Sequence, residues 1–166
     1  CVLRRLDAVL EPTKKAVLET RKMLDDAGIT EQTAALCSSS GHAFYNTSKF
    51  TLRDLKSRGN QQQLLADFED YLNGFSPNVQ DILENFKFRN QLQTLSKSDS
   101  LGTLISKFLD PEIDLTPAGI DNHSMGTVFE ELVRRFNEDN NEEAGEHWTP
   151  RDAVRLMANL VFLPIE

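Results

Sequence analysis

Apolar residues recur along this chain at intervals of three and four, and no stretch makes a convincing alternating strand. That periodicity limits the fold more than any other feature. It lays apolar side chains along one face of a helix, whereas a half-buried strand needs a period of two. Leu3, Leu6 and Leu10 begin the pattern. Leu64, Leu65, Phe68 and Leu72 repeat it, followed by Val79, Ile82, Leu83 and Phe86. Leu101, Leu104, Ile105, Phe108 and Leu109 form another stripe, and so do Met125, Val128, Phe129, Leu132, Val133 and Phe136. The expected fold is all-α, with several antiparallel helices around a Phe/Leu core. Ten phenylalanines in 166 residues are enough to fill one.

Helix breakers fall between these stripes. Pro12 is expected to kink or restart the first helical pattern. Gly28 follows "MLDDA", and "SSSGHAFYNTS" (38–48) reads as a loop. In "GFSP", Ser76 suits an N-cap and Pro77 the first helical position. "DPEIDLTPAG" (110–119) is a proline-punctuated connector. Residues 2–10 look like the middle of a helix with no cap before it, so more chain is expected upstream.

No apolar run approaches the length of a membrane span, and no signal peptide is visible. Cys1 and Cys37 do not make a disulfide framework and read as reduced thiols of a cytosolic protein. The net charge of −8 argues against a general nucleic-acid clamp. One segment runs the other way. In "KFTLRDLKSRGNQQQ" (49–63), Lys49, Arg53, Lys56 and Arg58 stand against a single Asp54. These are candidate phosphate contacts, with the glutamines able to reach groove edges. A solvated helix face is the simpler account.

The most specific stretch is "GEHWTPRDAVRLMANLVF" (145–162). Thr149 is a good N-cap, Pro150 belongs at N1, and Asp152 at N3 can complete a capping box. Val154, Met157 and Val161 line one face, with Ala153, Leu156 and Leu160 beside it. The free amides and dipole at this start favour an anion, although Asp152 competes and Arg151 offsets it. On physics alone, a cap that binds nothing is the simpler account. His147 is a poor metal ligand, since the nearest histidine, His123, lies 24 residues away; no metal site is expected.

The block "MGTVFEELVRRFNEDNNEEAGEHWTPRDAVRLMANLVF" resembles a segment of the modification (M) subunit of type I restriction-modification systems. "VLRRLDAVLEPTK" and "LISKFLDPEIDLTP" are similar to the same family, with residues 29–75 the least alike. The resemblance implies a DNA adenine-N6 methyltransferase that uses S-adenosylmethionine. It implies that Glu146, His147, Trp148, Thr149, Pro150 and Arg151 match the cofactor-binding stretch, with Trp148 where Phe or Tyr is usual. It implies partners as well: DNA, the specificity (S) subunit, a second M subunit and the restriction (R) subunits.

The family's glycine loop, its Asn/Asp-Pro-Pro-aromatic motif and its parallel sheet are missing from the sequence. The expected organisation is therefore a helical N-terminal domain (1–137), an acidic linker (138–148), and the first helix of a truncated catalytic domain (149–166). No catalytic residue is expected within it, and the chain alone is expected to be inactive. Its own share would be subunit assembly, DNA embrace and one edge of the cofactor pocket. The alternative is a stand-alone helical protein-interaction adaptor without catalysis.

Overall fold

A computed structural model describes residues 1–139 and 151–162. Among them there are ten α-helices and no strand; a single isolated bridge joins Asn46 to Phe75. The chain divides into two compact units, Cys1–Asp121 and Asn122–Glu166.

The first unit holds α1 (Val2–Leu10), α2 (Lys14–Asp26), α3 (Thr33–Ser40), α4 (Leu52–Lys56), α5 (Gln61–Asn73), α6 (Pro77–Asn85), α7 (Phe88–Lys97) and α8 (Leu101–Phe108). Pro12 acts as expected: a 3-10 turn at Glu11–Thr13 ends α1 and restarts the chain as α2. Gly28, at φ 69°, follows the end of α2. Ser76 and Pro77 open α6, but the Ser76 hydroxyl makes no cap bond to the helix. It donates to Asn78 Oδ1 at 2.7 Å and accepts from Tyr45 N at 3.3 Å. The loop expected from residue 38 starts later, because α3 runs through Ser40 to a left-handed Gly41.

Helix α5 supplies the centre of the core. Its Leu64, Phe68, Tyr71 and Leu72 pack with Phe50, Leu55, Val79, Leu83, Leu92, Leu101 and Ile105. Leu55 and Leu72 are fully buried, each worth roughly 1.5–3 kcal/mol of transfer free energy. A smaller cluster of Val17, Leu36 and Tyr45 joins α2 to α3.

The segment between α3 and α4 is polar yet buried, because the ends of α5 and α6 satisfy its hydrogen bonds. Thr47 N donates to Gly74 O at 2.8 Å, and Ser76 N donates to Tyr45 O at 3.0 Å. Asn46 sits between, donating Nδ2 to Tyr71 O at 2.9 Å. Its Oδ1 accepts from Ser48 N at 2.8 Å and Lys14 Nζ at 2.9 Å.

The second unit contains α9 (Asn122–Asp139) and α10 (Arg151–Phe162). The helical segment expected over 1–137 thus spans the first unit and most of α9. On α9, Glu131 accepts from Arg134 at 2.6 Å and Arg135 at 2.9 Å. Those bonds hold its carboxyl down at about 2. On α10, Val154, Leu156, Met157, Leu160, Val161 and Phe162 are all exposed. Among the described residues, no helix is long and apolar enough to cross a membrane. Cys1 and Cys37 are free thiols.

Candidate functional site

Two sets of residues are candidates, and the structure treats them differently. Glu146, His147, Trp148, Thr149 and Pro150 of the expected cofactor stretch lie outside the described residues. Arg151 is the first residue of α10. In that first turn Asp152 Oδ1 accepts from Ala153 N at 2.9 Å. The carboxylate therefore engages one amide of the helix start, the competition that its position predicts.

The basic segment is well defined. Leu52 and Leu55 pin α4 into the core. Thr51 and Asp54 close a capping box: Asp54 N donates to Thr51 Oγ1 at 3.3 Å, and Thr51 N donates to Asp54 Oδ2 at 2.8 Å. The one acid of this segment is thereby spent on the helix start rather than on its basic neighbours. With Leu52 and Leu55 facing inward, Arg53 and Lys56, three residues apart, share the outward side.

The four candidate cations do not form one patch. Arg53 and Lys56 line a cavity of about 480 Å³ together with Arg4, Asp110, Asp114 and Thr116. Lys49 lines a different groove of about 630 Å³, with Arg21, Ser48, Asp67 and Asp70. Phe50 anchors that second group: Lys49 Nζ lies 4.9 Å and the Arg58 guanidinium 5.3 Å from its ring centroid. Such contacts hold long cations in place at a cost of about 1 kcal/mol or less to break.

Two of the four are already paired. Arg53 meets Glu11 at 2.9 Å, and Arg58 meets Asp67 at 2.8 Å. Lys49 and Lys56 make no ion pair among the described residues. Exposed pairs like Arg53–Glu11 are worth at most about 1 kcal/mol, so a phosphate can compete for the arginine. The Arg58 pair is held more firmly, because Asp67 is buried and also accepts from Gln63 Nε2 at 2.8 Å.

Three further cations were not legible as site residues. Arg4 is buried on α1 and lines the first cavity. Arg21 lines the groove with Lys49. Lys14 is half-buried against Asn46, and burial lowers its ammonium pKa to about 8, partly opposed by Asp7, Asp54 and Asp70. The signal for Arg4 lay in its spacing: Arg4, Asp7 and Ala8 share the buried face of α1, while Leu3 and Leu6 are only half-buried.

The fold and these groups can be set beside known families. Residues 1–108 match the family model described as HsdM N-terminal domain. Residues 120–164 match the model described as N-6 DNA Methylase. No curated protein and no solved structure gives a match.

Proposed function

Because the chain belongs to the HsdM N-terminal domain family, the N-terminal region of the type I restriction-modification M subunit, we propose that it serves as the non-catalytic arm of an adenine-specific DNA methyltransferase. In the complete subunit, a methyl group passes from S-adenosylmethionine to adenine N6, on a base turned out of the duplex. The share of this chain is subunit assembly, DNA embrace and one edge of the cofactor pocket at residues 146–151. Its partners are DNA, the specificity subunit, a second M subunit and the restriction subunits.

One observation carries this reading. Two matches follow one another on a single chain, HsdM N-terminal domain then N-6 DNA Methylase, and the chain divides into two compact units after Asp121, within two residues of the start of the second match. The apolar face of α10 adds support, since Val154, Met157 and Val161 stand exposed as a helix awaiting the rest of a domain would present them.

DNA contact has to come from individual cations, because the chain is acidic overall. Lys49 and Lys56, which line separate cavities, are the candidates, since neither is held by a carboxylate among the described residues. In the complete M subunit with its specificity subunit, Lys49→Ala/Lys56→Ala should weaken duplex binding alike for all sequences. It should flatten the plot of log affinity against log salt by about 1.8, at about 0.9 for each phosphate no longer neutralised. An unchanged salt slope would remove these lysines from the DNA face.

The cofactor edge has a separate test. Complete M subunit carrying Thr149→Val and Arg151→Ala should bind S-adenosylmethionine about tenfold more weakly, the loss expected for one charge-assisted hydrogen bond. Unchanged affinity excludes both side chains from the pocket. A complete subunit that binds its specificity partner yet never methylates adenine would favour the adaptor alternative.

A further inference from the structure

The connector that follows α8 belongs to the first unit and is folded along its length. Ile113 N donates to Asp110 O at 2.9 Å, Thr116 N to Asp114 Oδ1 at 2.9 Å, and Ile120 N to Thr116 O at 3.0 Å. Leu115 is only 6% exposed. Gly119 lies so close to Asp114 that a Cβ there would overlap its side chain. One side chain from the far end of the unit closes these turns. Arg5, half-buried on α1, donates Nη1 to Leu115 O at 3.1 Å and to Ile120 O at 2.8 Å, across 110 and 115 residues of chain. One guanidinium nitrogen thus brackets the segment from Leu115 to Ile120. Charge-assisted bonds of this kind are among the stronger ones, and the guanidinium holds its donors in a fixed plane.

Ile120 stands two residues before α9, and residues 109–119 fall between the two matched segments, 1–108 and 120–164. A plain tether is solvated and needs no bond from a distant helix; this one ends on a carbonyl that α1 holds. We propose that Arg5 is a positioning residue for methyl transfer: by clamping Leu115 and Ile120 it fixes the point at which the chain leaves the first unit for the methylase segment. This rests on the methyltransferase reading above. Arg5 acts through the connector and not on the reacting atoms. A misplacement of about 1 Å, even from a change far from the chemistry, can cost about a hundredfold in rate. A loosened exit should therefore show in turnover rather than in cofactor binding.

Arg5→Met keeps an unbranched stem and removes the donors. In the 166-residue chain, hydrogen exchange at the Gly119 and Ile120 amides should then speed up about tenfold, while the amides of α5 keep their wild-type rates. Arg5→Lys, which restores a charged donor, should return part of the protection. Equal acceleration in the connector and α5 would make Arg5 a general stabiliser, and no acceleration would remove the clamp; either result overturns the assignment. In the complete M subunit with its specificity subunit, Arg5→Met should lower kcat for adenine methylation about tenfold at unchanged KM for S-adenosylmethionine, with Arg5→Lys between. Wild-type turnover from a subunit with a loosened connector overturns the positioning role. A wild-type assembly that never methylates counts against the methyltransferase reading instead, and the exchange rates still decide the clamp.

Discussion

Gly74→Ala should destabilise the first unit by about 3–4 kcal/mol. The backbone at Gly74 is not strained; its φ is −72°. The obstacle is space. A Cβ there would lie 2.7 Å from both Asn46 Oδ1 and Ser48 Cβ, with the Ser48 backbone nitrogen nearer still. Neither neighbour can withdraw cheaply. Asn46 Oδ1 holds Lys14 and Ser48 N, and Thr47 N is bonded to Gly74 O itself. The added methyl therefore pushes apart the buried loop and the end of α5. Overpacking typically costs about 1–3 kcal/mol, and each buried bond broken adds about 1. For a unit of this size, a Tm lower by about 10 °C should result. Two other glycines calibrate the result. Gly41→Ala meets no atom and suffers only its positive φ, so it should cost about 1 kcal/mol. Gly102→Ala, inside α8 with Leu64 Cδ2 at 3.6 Å, should be neutral or stabilise by up to about 1 kcal/mol. Equal effects at all three would mean that the loop does not seat as described.

The contrast among these glycines also shows why only part of the fold was legible in the sequence. Periodicity finds long helices, and α5, α6, α8 and α9 lie where the stripes at 64–72, 79–86, 101–109 and 125–136 put them. Proline and glycine chemistry placed the breaks at Pro12, Gly28 and Pro77. Short elements escaped. Helix α4 has five residues, too few for a stripe, and its signature was the pairing of Thr51 with Asp54 rather than any apolar pattern. The loop before α4 escaped for a different reason. Asn46 and Ser48 look like surface residues, and partners 25 or more residues away, Tyr71 O and Lys14 Nζ, help make burying Asn46 tolerable.

Site residues follow the same division. Lys49, Arg53, Lys56 and Arg58 are close in sequence, and charge alone groups them. The helix then separates them: Arg53 and Lys56 lie within α4, while Lys49 and Arg58 lie beyond its ends and gather at Phe50. A linear count of charge cannot see that partition, because it depends on which leucines turn inward. Arg4 was hidden by the stripe of leucines beside it, as a buried arginine is not expected on an amphipathic helix.

Asp7→Ala should cost about 3 kcal/mol, while Asp7→Asn should stay within about 1 kcal/mol of the wild type at neutral pH. Asp7 is a buried carboxylate of α1 that serves two distant donors. Its Oδ1 accepts from Leu52 N, the first amide of α4, at 3.3 Å, and from the buried Tyr71 Oη at 3.1 Å. It therefore caps α4 from 45 residues away in sequence. Alanine strands both donors, each at roughly 1–3 kcal/mol; asparagine keeps an oxygen in place. The charge adds a pH dependence of known sign. Burial raises the Asp7 pKa above its usual 3.8, an effect that Leu52, Tyr71 and Arg4 only partly offset. The folded chain thus holds this proton more firmly than the unfolded chain. The associated stability is fully present below the unfolded pKa and is lost as pH rises through the raised folded value. At neutral pH the wild type bears the cost of a buried ionised carboxylate, which asparagine avoids. Acidification removes that cost, so urea melts should show the wild type gaining on Asp7→Asn as pH falls through this window, with Asp7→Ala weakest throughout. If alanine proves no worse than asparagine, Asp7 is not the acceptor that ties α1 to α4 and α5.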